Sequence, residues 1–317
     1  MKNLREALTE YVKIRRAFGT KFYDQGLYLG HFVTFLEHEK VDFITTNCSL
    51  RWAQLPSNVL KSTWAKRLNT VRRFAIWLCA FDPRTEIPPS RYFNVPHQRK
   101  APHIYTTQEI AELMQEAMRL SSGKGLLPLT ITTILGTLAS TGLRPGEVVA
   151  LNLADVNLND DILTVRDTKF GKSRFVPISN STARALGKYA TQRDRLCLKR
   201  ECNSFFISEK GTMIQGSNLR RIFSKISMKV GLRPILKGDH NRKGPRLQDF
   251  RHSFVTKRLV EWYRQGVDVD RELPKLSTYL GHLEVGLTYW YIEAIPELLQ
   301  LATNRINTKN REMLNHE

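Results

Sequence analysis

Side chains suited to binding a phosphate are grouped near the end of the chain, in residues 245–295. Arg251 falls in the first turn of a predicted helix, where unpaired backbone N–H groups and the helix dipole favour an anion. A second helical run ends at Gly281, which allows His282 to leave the helix axis, and Tyr291 follows nine residues later. Arginine, histidine and tyrosine near one anion-binding helix start predict phosphoryl chemistry that needs no metal ion.

Residues 141–147, with the sequence TGLRPGE, could place another arginine beside an anion. Gly142 suits the left-handed end of one helix, and Pro145 suits the first position of the next. Arg144 would then lie at a helix N-terminus, and Glu147, one turn later, could hold its guanidinium or cap the helix. Taken alone, the same pattern fits an ordinary corner between two helices with an exposed arginine.

The order of these motifs resembles that of the tyrosine recombinase family, the phage integrases. That family has two arginines, a histidine in an L-G-H motif, and a nucleophilic tyrosine nine residues after that histidine. The resemblance covers the C-terminal two thirds of the chain. It implies that Arg144 and Arg251 hold the non-bridging oxygens of a DNA phosphate. It further implies that His282 hydrogen-bonds the phosphate or assists proton transfer, and that Tyr291 forms a 3′-phosphotyrosine.

A β-hairpin is predicted where two alternating apolar and polar runs, residues 162–166 and 174–178, flank a turn containing Gly171. The family carries a catalytic lysine on this hairpin. Lys169 matches its position best and is the expected general acid, with Lys172 as the alternative. Without the flanking motifs, both would be interpreted as solvated turn lysines.

One position departs from the family pattern, and one tyrosine competes with the proposed nucleophile. Gln248 stands where the family often has a histidine, three residues before the second arginine. A glutamine can donate a hydrogen bond to a phosphate but cannot accept and return a proton. Tyr289 lies two residues before Tyr291 and would face another direction on a short helix.

Composition favours a polyanionic partner. The chain has 317 residues, with 49 Lys and Arg against 30 Asp and Glu, and a formal net charge of +19. The excess is spread over both parts of the chain, as expected of a clamp around double-stranded DNA. The four cysteines show no zinc spacing, and no apolar run is long enough for a membrane span. We expect a cytoplasmic, nucleoid-associated protein without cofactor or metal.

The expected fold class is mostly α with a small antiparallel β element. Residues 1–95 are predicted to form a helical core-binding domain, whose clearest helix carries a basic face of Lys61, Lys66, Arg67, Arg72 and Arg73. Residues 96–105 are predicted to be a linker. Residues 106–317 are predicted to be a mixed α/β catalytic domain of the tyrosine recombinase type.

The resemblance implies a site-specific DNA recombinase or integrase of a mobile element. It would act as a homo-oligomer on DNA, a tetramer on paired sites, and in some systems together with related recombinases. Two alternatives stay open. One is a type IB topoisomerase-like enzyme, which relaxes DNA by the same chemistry. The other is a DNA-binding accessory protein that has lost efficient cleavage, for which Gln248 is the indication.

Overall fold

A computed structural model of the protein describes residues 3–95, 101–166, 172–234 and 244–282, together with residues 284, 286, 299, 300 and 303. The described residues up to 95 belong to one compact unit, and those from 101 onward belong to a second. Among the residues that are described, no helix combines the length and the apolar character needed to cross a membrane.

The helices of the first unit bury one shared apolar core. They are α1 (Leu4–Ala17), α2 (Tyr23–His38), α3 (Thr46–Gln54) and α4 (Lys61–Leu78). Asn3 and Thr45 cap α1 and α3 by accepting backbone N–H groups through their side chains. Aromatic rings fill the centre, where Phe32 packs edge-on against Trp52 at 5.2 Å between ring centroids.

The basic face predicted for α4 is wrong at one position. Arg67 is buried, its Nη2 donates to the carbonyl oxygen of Trp52 at 2.7 Å, and its guanidinium lies 3.7 Å from the centre of the Trp52 ring. A planar, weakly hydrated guanidinium can stack on an indole in this way. Lys61, Lys66 and Arg73 are exposed, so only part of the expected charged face is available to a partner.

The second unit is mostly helical with a small antiparallel sheet, which confirms the expected fold class. Its helices are α5 (Thr107–Met118), α6 (Leu126–Thr141), α7 (Pro145–Val149), α8 (Asn180–Leu196), α9 (Gly216–Lys229), α10 (Asp249–Arg264) and α11 (Val269–Leu280). Its strands are β1 (Val156–Asn157), β2 (Ile162–Val165) and β3 (Arg174–Pro177). Helix α6 is largely buried and packs against α5, α8 and α10 in the core.

The sheet is antiparallel with strand order β1-β2-β3. Leu163 pairs with Val176, and both are buried, as the alternation of apolar residues predicts. Val165 pairs with Arg174 at the end of the hairpin nearest its turn. The expected turn residue Gly171 and the predicted catalytic Lys169 lie outside the described residues.

Tyr105, at the end of the predicted linker, packs within the second unit. Its ring stacks on Phe250 of α10 with 4.4 Å between centroids. Its backbone N–H donates to the Ser253 hydroxyl at 2.7 Å, and its own hydroxyl donates to the carbonyl oxygen of Arg246 at 3.1 Å. Thr106 then caps α5 in a reciprocal arrangement with Glu109.

Candidate functional site

Arg144 lies at the start of α7, as the TGLRPGE segment predicts. Gly142 ends α6 with a φ of 62°, and Pro145 is the first residue of α7. A Cβ atom at Gly142 would come within 2.5 Å of the Phe254 ring, so glycine is required for packing as well as for backbone conformation. The Arg144 side chain is 40% exposed and faces solvent from this corner.

Glu147 holds Arg144 in place. Its Oε1 accepts from Arg144 Nη1 at 2.8 Å, and its Oε2 accepts from the Arg144 backbone N–H at 3.0 Å. The carboxylate therefore both caps the short helix and fixes the guanidinium, the two roles that its spacing predicts. Burial favours the protonated form of Glu147, but the hydrogen bonds and charges of Arg174 and Arg144 outweigh it and hold the pKa below its usual range.

Arg174 is the site residue that the sequence analysis missed. From the first position of β3, its Nη2 donates to Glu147 Oε2 at 2.9 Å and its Nη1 to Glu147 Oε1 at 3.3 Å. Its Nε donates to the carbonyl oxygen of Tyr279 at 2.8 Å. The sequence showed only an arginine at the start of the second strand of the predicted hairpin. Its partners could not be inferred, because both are distant in the chain.

Arg251 joins the two segments that carry the other predicted site residues. It is the third residue of α10 and is 1% exposed. Its Nη1 donates to the carbonyl oxygen of Gly142 at 3.2 Å, and its Nη2 donates to that of Leu280 at 2.7 Å. Each carbonyl lies two residues before a predicted site residue, Arg144 in one case and His282 in the other.

His282 follows the left-handed end of α11, where Gly281 has a φ of 68°. Its backbone N–H donates to the carbonyl oxygen of Ser277 at 3.0 Å. Burial lowers the pKa of the imidazole to about 4, and the nearby charges of Arg251, Arg144 and Arg174 act in the same direction. The ring is therefore neutral at pH 7 and can both donate and accept a hydrogen bond.

Gln248 lies directly before α10 and is half-buried. Its carbonyl oxygen accepts the backbone N–H of Arg251 at 3.2 Å, which places it on the same turn as that arginine. Asp249 next to it is engaged elsewhere, because its carboxylate accepts from the backbone and side chain of Arg246.

The structure brings Arg144, Arg251 and His282 together around one site. The predicted nucleophile Tyr291, its competitor Tyr289 and Lys169 lie outside the described residues, so their roles stay predictions. Lys172, the alternative to Lys169, is exposed on the hairpin two residues before Arg174. In the described ranges no three His, Cys, Asp or Glu side chains are placed to share a metal ion.

Comparisons with known proteins identify the family of the chain. The phage integrase family profile matches residues 104–298. The chain is 39% identical over 313 residues to the integrase/recombinase y4rB of Sinorhizobium fredii, covering 98% of each chain. The fold resembles that of the Tn1549 transposon integrase in complex with transposon right end DNA, with a TM-score of 0.62 and 13% identity over 92% of this chain and 94% of that one.

A lambda integrase dimer bound to a COC′ core site has the same fold, with a TM-score of 0.58 and 15% identity over 92% of this chain and 77% of that one. At such low identities the two structures support the fold alone. The family profile and the full-length relative go further, because they cover most of the chain with the site motifs included. The chain therefore belongs to the phage integrase family, the tyrosine recombinases.

Proposed function

We propose that this chain is a site-specific DNA recombinase of a mobile element, which cleaves and rejoins double-stranded DNA through a 3′-phosphotyrosine at Tyr291. The observation that carries the proposal is the buried Arg251 guanidinium, which binds the carbonyls of Gly142 and Leu280 and so gathers Arg144 and His282 around one site. Family membership and the DNA-bound state of the Tn1549 integrase support the choice of DNA as substrate.

In this proposal two guanidinium groups neutralise the negative charge of the non-bridging phosphate oxygens during cleavage. Arg144 is exposed at the rim and meets the non-bridging oxygens directly. Arg251 lies beneath, and its charge acts from a protein interior where the effective dielectric constant is lower than in water. Because Glu147 and two carbonyls already fix these side chains, little reorganisation is needed when the phosphate arrives.

The chemical step exchanges one phosphodiester for another. The Tyr291 phenol gives its proton to the neutral His282 imidazole or to water as its oxygen attacks the phosphorus. The bond to the 5′ oxygen breaks, and Lys169 gives a proton to the leaving oxygen. His282, neutral at pH 7, hydrogen-bonds the phosphate or assists proton transfer. Because a phosphotyrosine diester replaces a DNA phosphodiester with little change in free energy, no ATP is required. Positive side chains supply the charge that a metal ion supplies in other enzymes of phosphoryl transfer, so we propose metal-independent cleavage.

Gln248 cannot accept the phenol proton that Tyr291 must lose. An amide can hold a phosphate oxygen but cannot take up a proton, so another group must receive it. This substitution is the observation that favours a second candidate function, a DNA-binding accessory protein with weakened cleavage. A type IB topoisomerase-like activity is the third, because it uses the same chemistry without strand exchange.

The proposed domain roles follow from charge. Residues 1–95 would clamp one face of the DNA through exposed cations such as Lys61, Lys66 and Arg73. Residues 106–317 would carry the catalytic residues, and residues 96–105 would connect the two domains. The functional unit would be a homo-oligomer, a tetramer on paired sites, in some systems with related recombinases. The dimeric state of the lambda integrase on its core site supports an oligomer on DNA. Such a protein would work in the cytoplasm on the nucleoid.

Nicked duplexes tiled across the DNA on both sides of the gene test this proposal. A nick placed beside the scissile phosphate lets the short product diffuse away and traps the phosphotyrosine. Covalent adduct on a nicked duplex, together with joined products from two intact copies of the same site, supports recombination. Adduct with relaxation of a supercoiled plasmid that carries the site, but without joined products, supports the topoisomerase-like activity. A gel shift without adduct supports the accessory protein.

A further inference from the structure

Arg174 lies where three parts of the site meet. It opens β3, and so belongs to the hairpin on which the catalytic lysine is expected, while its partners belong to α7 and to the end of α11. The side chain is 11% exposed, and that of Glu147 is 10% exposed. The ion pair that they form is thus largely shielded from water, where such pairs are screened less than at the surface.

Each nitrogen of the Arg174 guanidinium donates to the protein. Nη1 and Nη2 meet the two carboxylate oxygens of Glu147, side by side, and Nε meets the carbonyl oxygen of Tyr279. Arg144 donates to the same two carboxylate oxygens. One carboxylate therefore receives four donors from two arginines, and its position depends on both.

The guanidinium also lies against the turn that carries His282. A Cβ atom at Gly281 would come within 2.8 Å of Arg174 Nη1 and 2.9 Å of its Cζ. Helix α11 ends with two successive carbonyls held by arginines, Tyr279 by Arg174 and Leu280 by Arg251. These are carbonyls that a helix end leaves without intrahelical partners, and cations are favoured there.

We propose that Arg174 is a positioning residue, which sets Arg144 through Glu147 and sets the turn before His282 through Tyr279, and which thereby ties both to the hairpin. Its role differs from that of a phosphate ligand, because Nε, Nη1 and Nη2 of its guanidinium all donate to oxygens of Glu147 and Tyr279. The inference rests on the proposed DNA cleavage reaction and adds to it one residue that acts through others.

The test compares Arg174→Gln and Arg174→Lys with the full-length wild type on the trapping duplex that yields adduct. Lysine keeps the charge but lacks the planar fork that meets both carboxylate oxygens and the carbonyl. We expect the single-turnover rate of adduct formation to fall about 30-fold for glutamine and about fivefold for lysine, while the Kd for DNA changes less than about threefold.

Arg193→Gln is the matched control for losing a buried arginine. Arg193 is buried in the same unit, pairs with Asp194, and donates to the carbonyl oxygen of Phe205, so its partners are of the same kinds. We expect this variant to lose thermal stability but to keep the wild-type adduct rate at a temperature where all variants are folded. Equal rate losses in Arg193→Gln and Arg174→Gln would overturn the positioning role.

The pH profile separates positioning from general destabilisation. Without Arg174, Glu147 loses a cation that keeps it ionised, so the acid limb of the adduct rate should move to higher pH. A weaker Kd with a salt slope lowered by about one would instead make Arg174 a phosphate ligand. An unchanged rate in Arg174→Gln would overturn the inference alone, whereas no adduct from the wild type on any tiled duplex would contradict the proposed function.

Discussion

The terminal nitrogen Nη2 of Arg251 lies 2.7 Å from the carbonyl oxygen of Leu280, 29 positions later in the chain. Together with the bond from Nη1 to Gly142, this contact makes a buried cation the link between the segments of Arg144 and His282. The side chain that is expected to neutralise a phosphate thus also determines the shape of the site.

Removing Arg251 should therefore cost stability as well as activity. Arg251→Met would leave the carbonyls of Gly142 and Leu280 without these donors, and we expect the free energy of unfolding to fall by about 3 kcal/mol. Arg258 lies on the same helix but pairs with Glu261 at the surface. Arg258→Gln should change the free energy of unfolding by less than about 0.5 kcal/mol. Urea denaturation of both variants checks this, and equal effects would contradict a structural role for Arg251.

The identity of the nucleophile can be decided by removing one phenol oxygen at a time. Tyr291→Phe should abolish the covalent adduct on the nicked duplex, because phenylalanine has no oxygen to attack phosphorus. Tyr289→Phe should keep it. Denaturing gels with labelled DNA measure the adduct, and the reverse pattern would assign the role to Tyr289.

Stability should depend on pH through His282. Its folded pKa of about 4 lies below the unfolded value near 6.5, so the unfolded chain binds more protons between these values. Stability is then fully present above pH 6.5 and falls as the pH drops toward 4. Allowing for its partial exposure, His282 should account for about 1–2 kcal/mol of this loss.

His282→Gln should flatten the fall in thermal stability between pH 6.5 and 4. Part of the slope should persist, because burial also lowers the pKa of His252. His31→Gln, at an exposed position of the first unit, should leave the slope unchanged. If His282→Gln kept the wild-type slope, the fold would not lower the pKa of this imidazole, and the prediction would be wrong.

The first unit offers a paired test of its proposed DNA contact. Lys61→Ala with Arg73→Ala removes two exposed cations and should lower the slope of log K against log salt by up to about 2, with the melting temperature unchanged. Arg67→Met should affect stability and not DNA binding, because Arg67 binds Trp52 inside the unit. We expect it to lower the free energy of unfolding by about 2 kcal/mol and to leave the salt slope as it is.

Residue preferences at helix ends and turns predicted the parts of the structure that depend on residues close together in the chain. Residue type and local spacing predicted the left-handed end of a helix at Gly142, Pro145 as the first residue of the next helix, and the hairpin of β2 and β3. The nine-residue α3 was not predicted, because its apolar residues are too few to show a helical period. Its stability comes from Trp52 and other side chains packed in the core.

Contacts between distant segments could not be predicted in the same way. Arg174 and Tyr279 are 105 positions apart, and nothing in either segment indicates the other. Arg67 was assigned to the exposed face by helical period, yet a guanidinium can stack on a buried indole, and Trp52 lies on a helix that was not predicted. Both errors concern arginine, whose long side chain can serve a protein interior as well as a surface.

Tyr105 determines where the second unit can be separated from the first. A fragment that starts at Ala101 keeps the ring on Phe250 and the bonds to Ser253 and Arg246. A fragment that starts at Thr106 lacks the Tyr105 side chain and its contacts. It would leave a cavity beside α10, at the turn that holds Arg251. A fragment of the second unit made for expression or crystallisation should therefore begin before Tyr105.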